Sequence, residues 1–151
     1  MPHTMIAIDF SDIALRLKQE DGKVLVFDPV RKKWLVLTPE EQVRQYLLAH
    51  LTGALQYPQS LIAVEKKIMV GAMNKRFDIV VYDRTHNPWM LIECKAPDVP
   101  ITQAALMQLL NYQRTIQCGY WMLSNGHQHF CADARNVAAI NWLTALPAYE
   151  L

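Results

Sequence analysis

Two stretches decide the fold: Arg76-Phe77-Asp78-Ile79-Val80-Val81-Tyr82-Asp83 and Trp89-Met90-Leu91-Ile92-Glu93-Cys94-Lys95. Each is largely apolar on both faces, the pattern of central strands covered on each side. Thr85-His86-Asn87-Pro88 lies between them and reads as a turn. Upstream, Leu61–Val70 reads as a further strand, turned by Gly71-Ala72-Met73-Asn74. Three antiparallel strands are therefore expected over Leu61–Lys95. Ala96-Pro97-Asp98-Val99-Pro100 stops the last of them, because proline cannot donate to a ladder.

The flanking segments supply helices and more β-structure. Thr38-Pro39-Glu40-Glu41 is a helix start, with Thr38 as cap, Pro39 at the first position and Glu41 completing a capping box. Val43, Tyr46, Leu47 and Leu51 recur at helical spacing, and Gly53 and Pro58 mark the exit. A second helix is expected from the Thr102 cap to about Gln117. Tyr120-Trp121-Met122-Leu123 reads as a strand, with an Asn125-Gly126 hairpin turn into His129-Phe130-Cys131. Val137–Leu146 reads as a short helix. Residues 13–37 read as an N-terminal β-region: Ile13, Leu15 and Leu17 alternate with Ala14, Arg16 and Lys18, and Asp21-Gly22 and Asp28-Pro29 turn the chain. The expected class is α/β, a mixed sheet flanked by helices with an N-terminal β-hairpin region, forming one domain over residues 1–151.

Bulk properties bound the function. A chain of 151 residues with 52% hydrophobic and 19% charged residues is long enough to bury a core. Its net charge of +1 excludes DNA binding by bulk electrostatics, so any such contact needs a local patch. No apolar run reaches the roughly 20 residues of a membrane helix. Met1-Pro2-His3-Thr4-Met5 lacks a signal-peptide pattern. Cys94, Cys118 and Cys131 are widely spaced and read as free thiols, as in a reducing cytoplasm.

Chemistry enters with Glu93-Cys94-Lys95. Acid-x-lysine tripeptides are common, about one being expected by chance in such a chain. This chain has three, with Asp21-Gly22-Lys23 and Glu65-Lys66-Lys67. Hairpin geometry separates them. Glu93 and Lys95 point to one face of their strand. Folding about His86 sets Asp78 beside residues 93–95, within a one-residue register error, and folding about Ala72 sets Glu65 and Lys67 alongside Asp78. Partly desolvated carboxylates at a strand end need a cation between them. An all-oxygen set of Asp78, Glu93 and the Cys94 backbone carbonyl suits Mg²⁺ or Mn²⁺, with Lys95 beside a bound water. The bland alternative stays open: a solvent-facing Asp78 and a surface Glu93–Lys95 pair.

The ordered strings Phe77-Asp78-Ile79-Val80-Val81-Tyr82 and Leu91-Ile92-Glu93-Cys94-Lys95-Ala96-Pro97 resemble the PD-(D/E)xK nuclease superfamily. More narrowly, they are similar to the N-terminal nuclease domain of type I restriction enzyme R subunits. Thr38–Gln45 resembles that family's opening helix, and Gln108-Leu109-Leu110-Asn111-Tyr112 its Gln-x-x-x-Tyr helix motif. The resemblance covers roughly residues 38–130. It implies a restriction-endonuclease-like fold and a Mg²⁺-dependent DNA endonuclease of the restriction or defence type. Asp78, Glu93, Lys95, Gln108 and Tyr112 would be catalytic, and Glu65 and Glu41 are further candidate metal ligands. Lys66, Lys67, Lys75 and Arg76 flank the site and are candidate phosphate contacts.

Two departures stand out. Phe77 replaces the proline of the motif's name, and no Walker-type glycine-rich loop occurs. The expectation is a stand-alone relative or a subunit working with a separate motor or specificity subunit, with DNA and a second copy of the chain as candidate partners. The alternative is a catalytically inactive nuclease-fold module that binds nucleic acid or protein. Three remaining features have bland readings: Arg31-Lys32-Lys33 as a solvated turn, His127 and His129 as a hairpin surface pair, and Trp89 and Trp121 as core.

Overall fold

In the computed structural model, residues 4–149 are described. Met1, Pro2 and His3, part of the segment read for a signal pattern, lie outside them, as do Glu150 and Leu151. Among the described residues the chain forms an α/β fold of the restriction-endonuclease-like kind: a six-stranded mixed sheet, two α-helices and a three-stranded N-terminal sheet.

The N-terminal sheet is a meander of β1 (Leu17–Glu20), β2 (Lys23–Asp28) and β3 (Lys33–Val36). The expected strand from Ile13 is shorter than its alternation suggests. β2 ends at Asp28, the register partner of Leu15, so residues before Leu15 have no strand to pair with; Arg16 O still accepts from Phe27 N–H. Phe10 packs instead on Tyr46, His50 and His129.

Helix α1 (Pro39–Thr52) starts as expected, with Thr38 Oγ1 accepting from Glu41 N–H at 3.0 Å. The capping box is not closed, because the Glu41 carboxylate bonds arginines instead. Gly53 ends the helix at a place where a Cβ would meet Ala49 O at 2.8 Å.

The main sheet has the order β4 (Ile62–Val70), β5 (Met73–Tyr82), β6 (Pro88–Cys94), β7 (Tyr120–Ser124), β8 (His129–Asp133), β9 (Asn141–Trp142). All neighbours are antiparallel except β6 and β7, whose parallel pairing needs the α2 crossover. Gly71, at φ +63, lets a two-residue turn close β4 onto β5, with Val70 opposite Met73. One core lies between the sheet and α1, around Leu47, Ile79, Ile92 and Met122. The other lies under α2 (Gln103–Asn111), around Phe77, Leu91, Leu106 and Trp121.

Two expected helices differ. α2 stops at Asn111 and tightens into a 3-10 turn over Tyr112–Arg114. There Gln113 is drawn inward: its Oε1 accepts from Trp121 Nε1 at 2.5 Å and Cys118 N–H at 3.2 Å. Val137–Leu146 is not helical. Asn141 and Trp142 extend the sheet and Leu143 N–H donates to Cys131 O, so the open edge of β8 outcompetes a short helix. Among the described residues, no helix is long and apolar enough to cross a membrane.

Candidate active site

The site grows from a local inversion of the sheet. Ile62 and Val64 of β4, with Ile79 and Val81 of β5, pack in the α1 core. Ile68 and Val70, with Phe77, pack in the α2 core. Strand alternation alone would keep each set on one face. The faces exchange at Glu65 and Asp78, and Glu65 stands at φ +52, a conformation costing a non-glycine residue roughly 1 kcal/mol. The β5–β6 ladder ends there, at Ile79 opposite Ile92. Beyond it Asp78 Oδ2 accepts the Cys94 N–H at 2.8 Å, replacing a main-chain acceptor. Asp78 is thus wedged at a fork between the strands.

Glu93 and Lys95 point to the α2 side. With Lys75, Gln108, Leu109 and Tyr112 they line a cleft of about 140 Å³. Gln108 stands exposed at its rim, while Tyr112 stacks on Trp121 and meets Phe77 edge-on. Lys75 Nζ lies 2.5 Å from Glu93 Oε1 and over the Phe77 ring. This Oε1 is buried with that ionic neighbour and no hydrogen bond. Lys95 leaves the strand with its N–H donated to Ser124 O. Asp78 does not line this cleft. Glu93, Lys95, Gln108 and Tyr112 therefore gather, while Asp78 reaches the same strand end through the Cys94 amide.

On the other side of the fork lies a network of acids and arginines. Arg44, on the buried face of α1, donates from Nη2 to Asp78 Oδ1 at 2.7 Å and from Nη1 to Glu41 Oε1 at 2.5 Å. Arg31 reaches Asp28, both oxygens of Glu41, and Glu65 Oε2 at 3.3 Å. Gln45 Nε2 donates to Glu41 as well. Burial works against the Arg44 charge, yet the Asp78 hydrogen bond and the Glu41 and Asp78 charges raise its pKa above the ordinary value. Burial and the Asp78 charge push the Cys94 thiol far up, and the same two causes raise Glu40.

Arg44, Gln45 and Asp28 are the site residues that sequence reasoning missed. The signal was there for Arg44: it precedes Leu47 and Leu48 by three and four residues, which places a charge on the apolar stripe. The reading of Arg31-Lys32-Lys33 as a solvated turn fails for Arg31, whose side chain is 14% exposed and ion-paired; Lys32 and Lys33 are exposed. Lys66, Lys67 and Arg76 are exposed on β4 and β5, whereas Lys75 belongs to the cleft. The surface-pair reading of the histidines also fails for His129. It is buried with Nδ1 2.7 Å from Ser124 Oγ, because β8 is covered on both sides, while His127 is exposed.

Does this donor set suit a divalent cation? Among the described residues, no three His, Cys, Asp or Glu side chains form a metal-ready group. Mg²⁺ needs fewer, because it keeps several waters and often takes one or two carboxylates. Asp78, Glu93 and the Cys94 carbonyl are all oxygen donors, and Glu93 Oε1 has the Lys75 ammonium beside it but no hydrogen bond. The set fits a hard, water-rich cation.

Residues 39–147 match the family described as type I restriction enzyme R protein N terminus. Among solved structures, a fragment titled as an HsdR subunit of a type I restriction enzyme from Vibrio vulnificus YJ016 matches with a TM-score of 0.53 and 18% identity. The match covers 74% of this chain and 24% of that one, so the likeness is one of fold and extends over about a quarter of the other chain. No protein of curated function matches.

Proposed function

The chain belongs to the family of type I restriction enzyme R protein N termini, and on that premise we propose that it is a metal-dependent DNA endonuclease domain. The observation that carries the proposal is Glu93 Oε1, buried without a hydrogen bond in a cleft lined by Lys95, Gln108 and Tyr112, one residue from the amide that Asp78 accepts. The Lys75 ammonium is its resident counter-charge, one that a divalent cation would share or replace.

Asp78, Glu93 and the Cys94 carbonyl would hold Mg²⁺ or Mn²⁺, with Glu65 at the margin. When bound, the ion polarises a phosphate oxygen and acidifies a water. Lys95 Nζ holds the attacking water and offsets charge on the phosphate. Gln108, at the rim, orients the DNA strand against the cleft, and Tyr112 fixes the cleft wall. Lys66, Lys67 and Arg76 supply phosphate contacts, which position the duplex without reading its sequence. A motor or specificity subunit would direct cutting.

A plasmid-nicking assay on the full chain tests this. Wild type is expected to nick with Mg²⁺ or Mn²⁺, to stop in chelator, and to lose activity by about a hundredfold or more in Asp78→Ala. Metal-independent nicking, or an active Asp78→Ala, refutes the reading. A second reading, a non-catalytic module of the same fold, draws on the arginines that engage Asp78, Glu41 and Glu65. It predicts DNA or protein binding without nicking and without metal uptake.

A further inference from the structure

Arg44 is placed where a cation is needed. Its side chain is only 6% exposed, yet it faces four acids: Asp78 at 2.7 Å, Glu41 at 2.5 Å, Glu65 at 3.7 Å and Glu40 at 4.0 Å. Its Nε is buried without any partner. A guanidinium held by a full set of bonds would be a structural pin. This one leaves an N–H unmet while both Nη groups serve carboxylates, so its position is governed by the charge of the cluster.

We infer that Arg44 is the resident counter-cation of the acidic cluster, and that a divalent ion loads on Asp78 only as the guanidinium leaves Asp78 Oδ1. This rests on the reading of Asp78 as a metal ligand. Asp78 Oδ2 is committed to the Cys94 amide at the strand fork. Oδ1 is the oxygen that Arg44 takes. An ion at about 2.1 Å from Oδ1 would confront the guanidinium as a like charge at close range. Arg44 has somewhere to go. Nη1 keeps Glu41, and Nη2 has Glu65 and Glu40 within a short swing. Arg31 fixes those acceptors by binding Glu41 and Glu65 from the other side. Arg44 is thus a positioning residue that sets metal affinity and holds the cluster together until metal arrives.

Titration calorimetry with Mn²⁺ on the full chain tests it. Arg44→Gln removes the competing charge and is expected to bind Mn²⁺ about tenfold more tightly than wild type. Arg44→Lys keeps the charge and is expected to stay within about threefold. Unchanged or weaker binding in Arg44→Gln overturns the inference while leaving the metal site standing. No binding by any of the three proteins overturns both. Should Arg44→Gln not fold, arginine side-chain NMR on wild type decides: the Arg44 Nε–H signal shifts and loses exchange protection as Mg²⁺ saturates. A Cys94 amide that responds to Mg²⁺ beside an unmoved Arg44 signal overturns the inference.

Discussion

Single residues here carry the strain and the charge. Asp28 is fully buried, and its carboxylate is held by Arg31 together with the Val30 and Arg31 amides. Arg31→Met strands that charge and loosens Glu41 and Glu65. It is expected to lower stability by about 2–3 kcal/mol in urea unfolding, against less than about 0.5 kcal/mol for Lys32→Met. Equal effects from the two variants would show that the network contributes nothing. The sequence made Glu93 and Lys95 legible through strand parity, which depends only on spacing. Arg31 was not legible as a site residue, because a basic residue in a turn is usually solvated; Arg44 was marked by its place on the apolar stripe, but its bond to Asp78, 34 residues away, was not. Asp78 was placed at the right strand end, but alternation could not show that its carboxylate wedges into the fork.

Elements were readable where local chemistry decides them. The α1 start follows from Thr38 and Pro39, and Thr38→Ala is expected to cost about 1 kcal/mol, measured as a drop in unfolding free energy. A neutral result would mean that packing of Leu47, Leu48 and Leu51 alone holds the helix. Both central hairpins were legible from turn residues and apolar strands. Elements failed where distant groups compete with local preference. Val137–Leu146 is short and apolar, and periodicity cannot separate helix from strand at that length; the edge of β8 decided it. Gln113 reads as part of a helix, but its amide is worth more against Trp121 and Cys118.

At the scale of the molecule, the mixed sheet holds Lys75, Glu93, Lys95, Gln108 and Tyr112 on its α2 side, while Arg31 and α1 present charges from the other. The covering of β8 also buries His129. Burial, and to a lesser extent the His50 and His127 charges, hold its pKa down at about 4, below the 6.5 of a free histidine. The unfolded chain therefore takes the proton first as pH falls. Stability is full above pH 6.5, declines between 6.5 and 4, and is expected to be about 2 kcal/mol lower at pH 5 than at pH 7 from this residue. Thermal unfolding of wild type beside His129→Asn checks it: the variant should lose less on acidification, and equal losses would remove His129 as the cause.

The central claim is that a divalent ion at Asp78 and Glu93 works with Lys95 to cut DNA. Lys95→Ala tests it most directly, because this lysine is no ligand in the account. With Mn²⁺ still bound and its melting temperature unchanged, the variant should show no metal-dependent plasmid nicking while wild type cuts. Nicking by Lys95→Ala at the wild-type rate would contradict the account.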